Sequence, residues 1–186
     1  MRITLLVLAL TASAAAAPPS PRFEIDAGRS VAQFTVTKIG FSDVAGRFTQ
    51  MSGEVRWHAP EPESGSVRWR VRVASVTTGS RDRDSSLQMP EYFDAARHPE
   101  LTFESTRVRA VAAGIIEVAG TLTMRGHARP LTIRVRHGGS AAHPIFETDF
   151  KVDRYDFGIA GGRVMGRLIG RTVRIHLRLV TGEHTS

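Results

Sequence analysis

Seven histidines are the first residues to test for chemistry: His58, His98, His127, His137, His143, His176 and His184. None forms an H-E-x-x-H motif or a close pair, so a zinc site would have to be assembled from scattered strands. His58 and His176 read as outward strand positions, and His137 and His143 flank a turn. No G-x-S-x-G elbow is present. Ser75, Ser80, Ser85 and Ser86 could therefore meet a histidine only through the fold. Carboxylates pair at Asp82/Asp84 and Asp153/Asp156. Such pairs hydrolyse glycosides when they face each other across a cleft. Here they lie among arginines, in Arg81-Asp82-Arg83-Asp84 and Asp153-Arg154-Tyr155-Asp156, which suits turn capping and ion pairing. The run Gly158, Gly161, Gly162, Gly166, Gly170 matches neither nucleotide-loop pattern and reads as a flexible loop leading into the last strand. The expectation is a protein without catalytic residues, metal or cofactor.

The elements that must position these residues follow from composition and pattern. The chain has 186 residues, 41% hydrophobic and 23% charged, which fits one folded domain rather than a disordered chain. With no cysteine, disulfides, thiolate metal sites, cysteine nucleophiles and a lipoprotein anchor are excluded. The formal net charge is +7, yet only Lys38 and Lys151 of the basic residues are lysines. An arginine bias of this kind reflects genome composition, and no nucleic-acid partner is expected.

Met1 to Ala17 has one arginine, an apolar run from Ile3 to Leu10 and a small-residue end, Ala15-Ala16-Ala17. This is the pattern of a secretory signal peptide, too short to span a bilayer. Cleavage near Ala17 predicts a soluble domain over 18–186, periplasmic or secreted.

Beyond it the chain is written in period two. Val67, Trp69, Val71 and Val73 alternate with Arg68, Arg70 and Arg72. Leu131, Ile133 and Val135 alternate with arginines and a threonine, and Val173, Ile175, Leu177 and Leu179 do so with Arg174, His176 and Arg178. Val55 and Trp57, and Phe146, Phe150 and Val152, repeat the pattern. Successive side chains of a strand point to opposite faces. Weaker strands fit 32–38, 101–109 and 116–124. Many turn-separated strands, each with one dry face, predict an antiparallel sandwich or barrel. One segment breaks the rhythm: Asp84 or Ser85 would cap a short helix ending at Met89 before Pro90. Leu87, Tyr92 and Phe93 would then cover one end of the sheet.

The punctuation of the chain resembles the YceI-like family of polyisoprenoid-binding proteins of the bacterial periplasm. The resemblance rests on Phe23-Glu24-Ile25-Asp26 with Ser30 and Phe34, and on Gly40 to Phe48. It continues through Thr78-Gly79, Arg83-Asp84-Ser85-Ser86-Leu87, Tyr92-Phe93-Asp94, His98-Pro99 and Leu101 to Ser105. Gly120 to Gly126 with Arg129-Pro130, Asp153 to Ile159, and Ile169-Gly170 to Val173 complete it. Many members carry a histidine before the leucine of the central helix, where this chain has Ser86.

The resemblance implies an all-β fold, an extended antiparallel eight-stranded lipocalin-like β-barrel with one short helix. It implies a long-chain isoprenoid, quinone or fatty amphiphile held inside for transport, storage or sequestration. The interior of such a barrel is either packed or hollow enough for one ligand. The inward set is Phe34, Val36, Trp57, Trp69, Val71, Leu122, Phe146, Phe150 and Ile175, with Leu87 and Phe93 from the helical segment. Arg81, Arg83 and Arg125 are candidates for a polar head group, since a guanidinium offers several donors. Two alternatives stay open: a secreted hydrolase with a Ser/His or carboxylate site at the rim, and a packed structural or stress-response module. The outward arginine rows serve either as a solvated face or as loose contacts to an anionic membrane surface.

Overall fold

Alternation becomes an inside and an outside once the strands pair. The computed structural model describes residues 20–38, 43–162 and 165–183. The signal-peptide reading of Met1–Ala17 and the turn at Gly40-Phe41 lie outside the described residues. The strands are β1 (Arg22–Ile25), β2 (Val31–Lys38), β3 (Asp43–Phe48), β4 (Met51–Arg56), β5 (Ser66–Arg72) and β6 (Val76–Thr77). They continue as β7 (Glu100–Ala112), β8 (Ile115–Met124), β9 (His127–Gly139), β10 (Pro144–Asp153) and β11 (Ile169–Glu183). Every pairing is antiparallel. β1, β4, β5, β7, β8, β9, β10 and β11 follow one another, and β1 pairs back onto β11, so the sheet closes into an eight-stranded barrel.

The first three staves are each broken. β1 and β2 both pair with β11, interrupted by a turn in which the Arg29 and Ser30 N–H groups donate to the Asp26 carbonyl. β3 and β4 are joined through Thr49-Gln50, whose backbone is tied to Ser75. β5 runs through a short 3-10 turn, Val73–Ser75, into β6. The chain meets the expected fold, with more bends than the alternation reveals.

Within the wall, β8 alternates perfectly between half-buried and buried positions, and Trp69, Leu122, Phe146, Leu177 and Leu179 are buried inside. Outward arginines meet acids on neighbouring strands: Arg68 with Glu104 at 2.9 Å, Arg109 with Glu117 at 2.9 Å, and Arg136 with Glu147 at 3.2 Å. Exposed pairs of this kind contribute about 0–1 kcal/mol each, so they add little to the stability of the barrel.

The helix differs in detail from the expected one. α1 spans Arg81–Gln88 and is capped by Ser80, whose hydroxyl accepts from the Arg83 N–H. Asp84 is not the cap because its carboxylate accepts from the Thr78 N–H at 2.8 Å and the Thr78 hydroxyl at 2.5 Å, which ties α1 to the end of β6. Among the described residues no helix is long and apolar enough to cross a membrane.

Val71 and Arg72 test the assignment of faces. Val71 is 0% exposed and Arg72 is exposed. Val71→Asp buries a carboxylate without a partner and is expected to cost more than about 3 kcal/mol, enough to abolish cooperative folding. Arg72→Ala is expected to stay within about 0.5 kcal/mol of wild type. Thermal melts of the two variants check this, and a normal melt for Val71→Asp contradicts the inside–outside assignment.

Candidate functional site

The barrel lumen divides into two chambers. The wider, about 360 Å³, is lined by Phe34, Val36, Val44, Phe48, Phe150, Val152, Val173 and Ile175 from the strands. Leu87, Tyr92 and Phe93 of the helical segment and Ile159 of the loop before β11 close its lining. The narrower, about 70 Å³, lies among Val55, Trp57, Phe103, Val118, Val135, Phe146, Leu177 and Leu179. Trp69, Leu122 and Phe150 line both and form the boundary. Arg83 and Ser86 of α1 line the wide chamber and are exposed, so it reaches the surface beside α1.

The two ends differ in how well the inward side chains are covered. Around the narrow chamber most are buried, with Trp57 edge-on to Phe146 at 5.2 Å and 4.8 Å from the His137 ring, while Val67, Leu131 and Ile133 are half-buried. Around the wide chamber Phe34, Val36, Val44, Val173 and Ile175 are only half-buried although they point inward. Phe34, Phe48 and Phe93 make a continuous aromatic wall, with centroid spacings of 5.7 and 5.9 Å. Gly46 permits it: a Cβ there would lie 2.3 Å from the Phe34 ring.

The sequence-derived set distributes as follows. Phe34, Val36, Leu87, Phe93, Ile175 and Arg83 line the wide chamber, Trp57 and Phe146 the narrow one, and Trp69, Leu122 and Phe150 both. Val71 points inward but lines neither chamber, because its short side chain is fully buried between Met51 and Leu101 of the adjacent strands. Arg81 is exposed in the first turn of α1 and lines neither. Arg125 also lines neither: its guanidinium donates to the Gly158 carbonyl and, at 2.6 Å, to the Pro90 carbonyl. Arg83 reaches the rim, but its Nε donates to the Thr78 hydroxyl and its Nη2 to the Thr78 carbonyl, both at 2.8 Å. Two of the three proposed head-group arginines, Arg83 and Arg125, therefore donate to the protein's own oxygens.

Sequence reading missed Arg154, which lines the wide chamber and is only 4% exposed. Its Nη1 donates to the Ile159 and Ala160 carbonyls at 2.6 Å each, and its Nε to the Gly170 carbonyl at 3.0 Å. Its Nη2 reaches the Gly166 and Ile169 carbonyls at 2.5 and 2.9 Å and the Tyr155 hydroxyl at 3.1 Å. The described residues of the glycine-rich run, 158–162 and 165–170, are thus tied to one guanidinium. The run starts with a 3-10 turn, Arg154–Phe157, ended by Gly158 at φ 68°, and α2 (Met165–Leu168) leads into β11. The run also holds the segment that follows α1, because the Gly161 N–H donates to the Glu91 carbonyl at 2.8 Å.

Ser75, Ser80 and Ser86 hydroxyls engage backbone groups, and among the described residues no serine is hydrogen-bonded to a histidine ring. No group of three His, Asp or Glu side chains that could hold a metal ion is found among them.

Two predictions follow from the arginine clamp. Arg154→Met strips several carbonyls of their donor and is expected to cost at least about 3 kcal/mol in urea unfolding, while Arg154→Lys, with three donors instead of five, recovers only part. A loss below about 1 kcal/mol for Arg154→Met contradicts the clamp. Asp153 caps the 3-10 turn through the Tyr155 N–H at 2.9 Å and pairs with Arg171 at 2.6 Å. Burial pushes its carboxyl up, but the Tyr155 N–H and the Arg171 and Arg154 charges outweigh that and hold it below the usual carboxylate range. Its contribution is present above the unfolded value of about 3.9 and is lost as pH falls through the lower folded value. Asp153→Asn should therefore flatten the loss of stability below about pH 4, measured by melts across that range.

Comparisons agree with this geometry. The family model described as the YceI-like domain matches residues 23–181. A "UPF0312 protein" of Azotobacter vinelandii is 30% identical over 132 residues, 68% of this chain and 69% of the relative. Among solved structures, BcnA of Burkholderia cenocepacia superposes with a TM-score of 0.79 at 22% identity, covering 84% of this chain and 98% of that one. A polyisoprenoid binding domain from Saccharophagus degradans does so with a TM-score of 0.70 at 17% identity, covering 87% and 98%. A closed antiparallel barrel with one short capped helix, matched by the family model along most of its length, makes this chain a member of the YceI-like domain family.

Proposed function

We propose that the protein binds a long-chain isoprenoid or similar amphiphilic lipid in the wide chamber, for transport, storage or sequestration outside the cytoplasm. The observation that carries this reading is the set of half-buried, inward apolar side chains around about 360 Å³ of space. Such surface is costly to leave against water and releases free energy when a chain covers it. Each buried CH₂ contributes about 0.8 kcal/mol, so a stretch of about ten yields roughly 8 kcal/mol before the chain's ordering entropy is subtracted. The name of the Saccharophagus relative points to the same class of ligand. In this reading no bond is made or broken, and no residue is catalytic. Export rests on the Met1–Ala17 pattern, with the mature chain beginning at or near Pro18.

A packed module without ligand is disfavoured by the chamber itself. Native mass spectrometry of protein purified from its own host tests the proposal: a co-purifying lipid mass is expected, and an empty protein that takes up no added isoprenoid contradicts it. Ile175→Glu places a charge in the wide chamber and is expected to reduce lipid occupancy about tenfold or more while the barrel still folds. Unchanged occupancy in that variant removes the wide chamber as the site.

A further inference from the structure

Where the chain passes from β6 to β7, the wide chamber is walled by a helical segment instead of a strand. β6 pairs with β3 alone among the described strands, and β7 begins only at Glu100. Between them Leu87, Tyr92 and Phe93 stand in the chamber lining, all three half-buried, and no residue of α1 is buried. A segment with so little apolar burial opens at a fraction of the cost of unfolding the strands beside it. Both of its ends are rooted. Asp84 and Arg83 bond to Thr78, and the Asp94 carbonyl accepts from the Arg97 and His98 N–H groups. Internal bonds make the stretch between one unit, since the Phe93 and Asp94 N–H groups donate to the Leu87 and Met89 carbonyls at 3.0 Å. Its outer bend, Met89-Pro90-Glu91, is exposed. The bend is held across the mouth by Arg125, which donates to the Pro90 carbonyl at 2.6 Å, and by the Gly161 N–H, which donates to the Glu91 carbonyl at 2.8 Å.

Arg125 stands in an unusual place for this task. It takes φ 49° in the turn between β8 and β9, and Gly126 follows at φ 73°. A left-handed conformation is costly for a residue with a side chain, and such strain persists where the surroundings hold it. Here the turn aims one guanidinium at two carbonyls, Pro90 in the segment after α1 and Gly158 in the glycine-rich run. We propose that Arg125 is the latch of a lid, residues 85–93, which lifts to admit and release the cargo of the wide chamber. This rests on the lipid-binding reading above and adds the route of exchange and the residue that sets its rate. Arg125 is a positioning residue, because it lines neither chamber and acts through the lid.

The Gly161 N–H reports the lid directly, since lifting the bend removes its acceptor. Arg125→Gly removes the latch and suits the positive φ of the turn, so the barrel keeps its fold. In hydrogen exchange of the lipid-free mature chain, followed by NMR, the variant is expected to exchange the Gly161 N–H about tenfold faster, the effect of one charge-assisted hydrogen bond. Amides of the β10–β11 ladder should keep their wild-type rates. In stopped flow, decylubiquinone delivered from cyclodextrin quenches tryptophan fluorescence as it enters. Its uptake and release are both expected to quicken about tenfold in the variant, while Kd stays within about threefold. Arg125→Lys keeps the charge without the fork and should fall between. Unchanged exchange at Gly161, or exchange that quickens only in step with the β10–β11 ladder, overturns the latch. Faster exchange with unchanged uptake and release overturns the lid as the route. A wild type that takes up neither decylubiquinone nor phytanol overturns the lipid-binding reading instead, and exchange at Gly161 then still decides the latch.

Discussion

Closure of the sheet through β11 is the constraint on which the rest of the structure depends. This 15-residue strand holds β10 on one side and both β1 and β2 on the other. Closing a sheet removes its unpaired edges, so backbone donors and acceptors are satisfied around the ring and every inward side chain faces others across the lumen. Apolar residues on alternate positions must then meet one another. Outward arginines are left in water, where many find an acid on the next strand. The positive charge of these rows thus belongs to the outer coat of the barrel, spread along its staves.

An eight-stranded barrel has little interior to spare, so whether it is packed or hollow depends on side-chain volume at each level. At one end two tryptophans and several large aliphatics fill most of it and leave about 70 Å³. At the other the wall is built from Val36, Val44, Val173 and Ile175, and the broken staves β2 and β3 border it. There the segment from α1 to Asp94 closes the end in place of strand side chains. Its position is fixed by polar bonds: Asp84 to Thr78, Arg125 to the Pro90 carbonyl, and Gly161 to the Glu91 carbonyl. Asp94, 2% exposed, accepts from the Arg97 Nε at 2.7 Å and helps hold the turn after the helix.

Much of this was legible in the sequence because period two reports the face of a strand directly. The alternating rows at Trp69, Phe146, Phe150 and Ile175 became lumen walls. Period two does not report depth along the barrel. Depth depends on register between strands distant in sequence, and so Val71, in the cleanest row of all, proved to be packed between Met51 and Leu101 and away from both chambers. Arg154 was illegible for a related reason. Its acceptors are backbone carbonyls from Ile159 to Gly170, and nothing in a string of glycines marks which carbonyls converge. The helix cap slipped to Ser80 because Asp84 was drawn away to Thr78, a competition visible only once β6 and α1 lie side by side.

The use of arginine bears on selectivity. A guanidinium at a pocket rim is ordinarily read as an anion site, because it offers several donors in a rigid fork. Here the three arginines at the wide end donate to oxygens of Thr78, Pro90, Gly158 and the 159–170 segment, which stabilises the end of the barrel and leaves few donors for a head group. Ser86, at the position where many family members carry a histidine, donates its hydroxyl to the Asp82 carbonyl within α1 at 2.8 Å. Polar recognition at the rim is weakened on both counts. Burial of a flexible chain depends on area and discriminates poorly between chains of similar width. In the proposed lipid-binding reading, selectivity therefore falls to the shape of the passage between Trp69, Leu122 and Phe150.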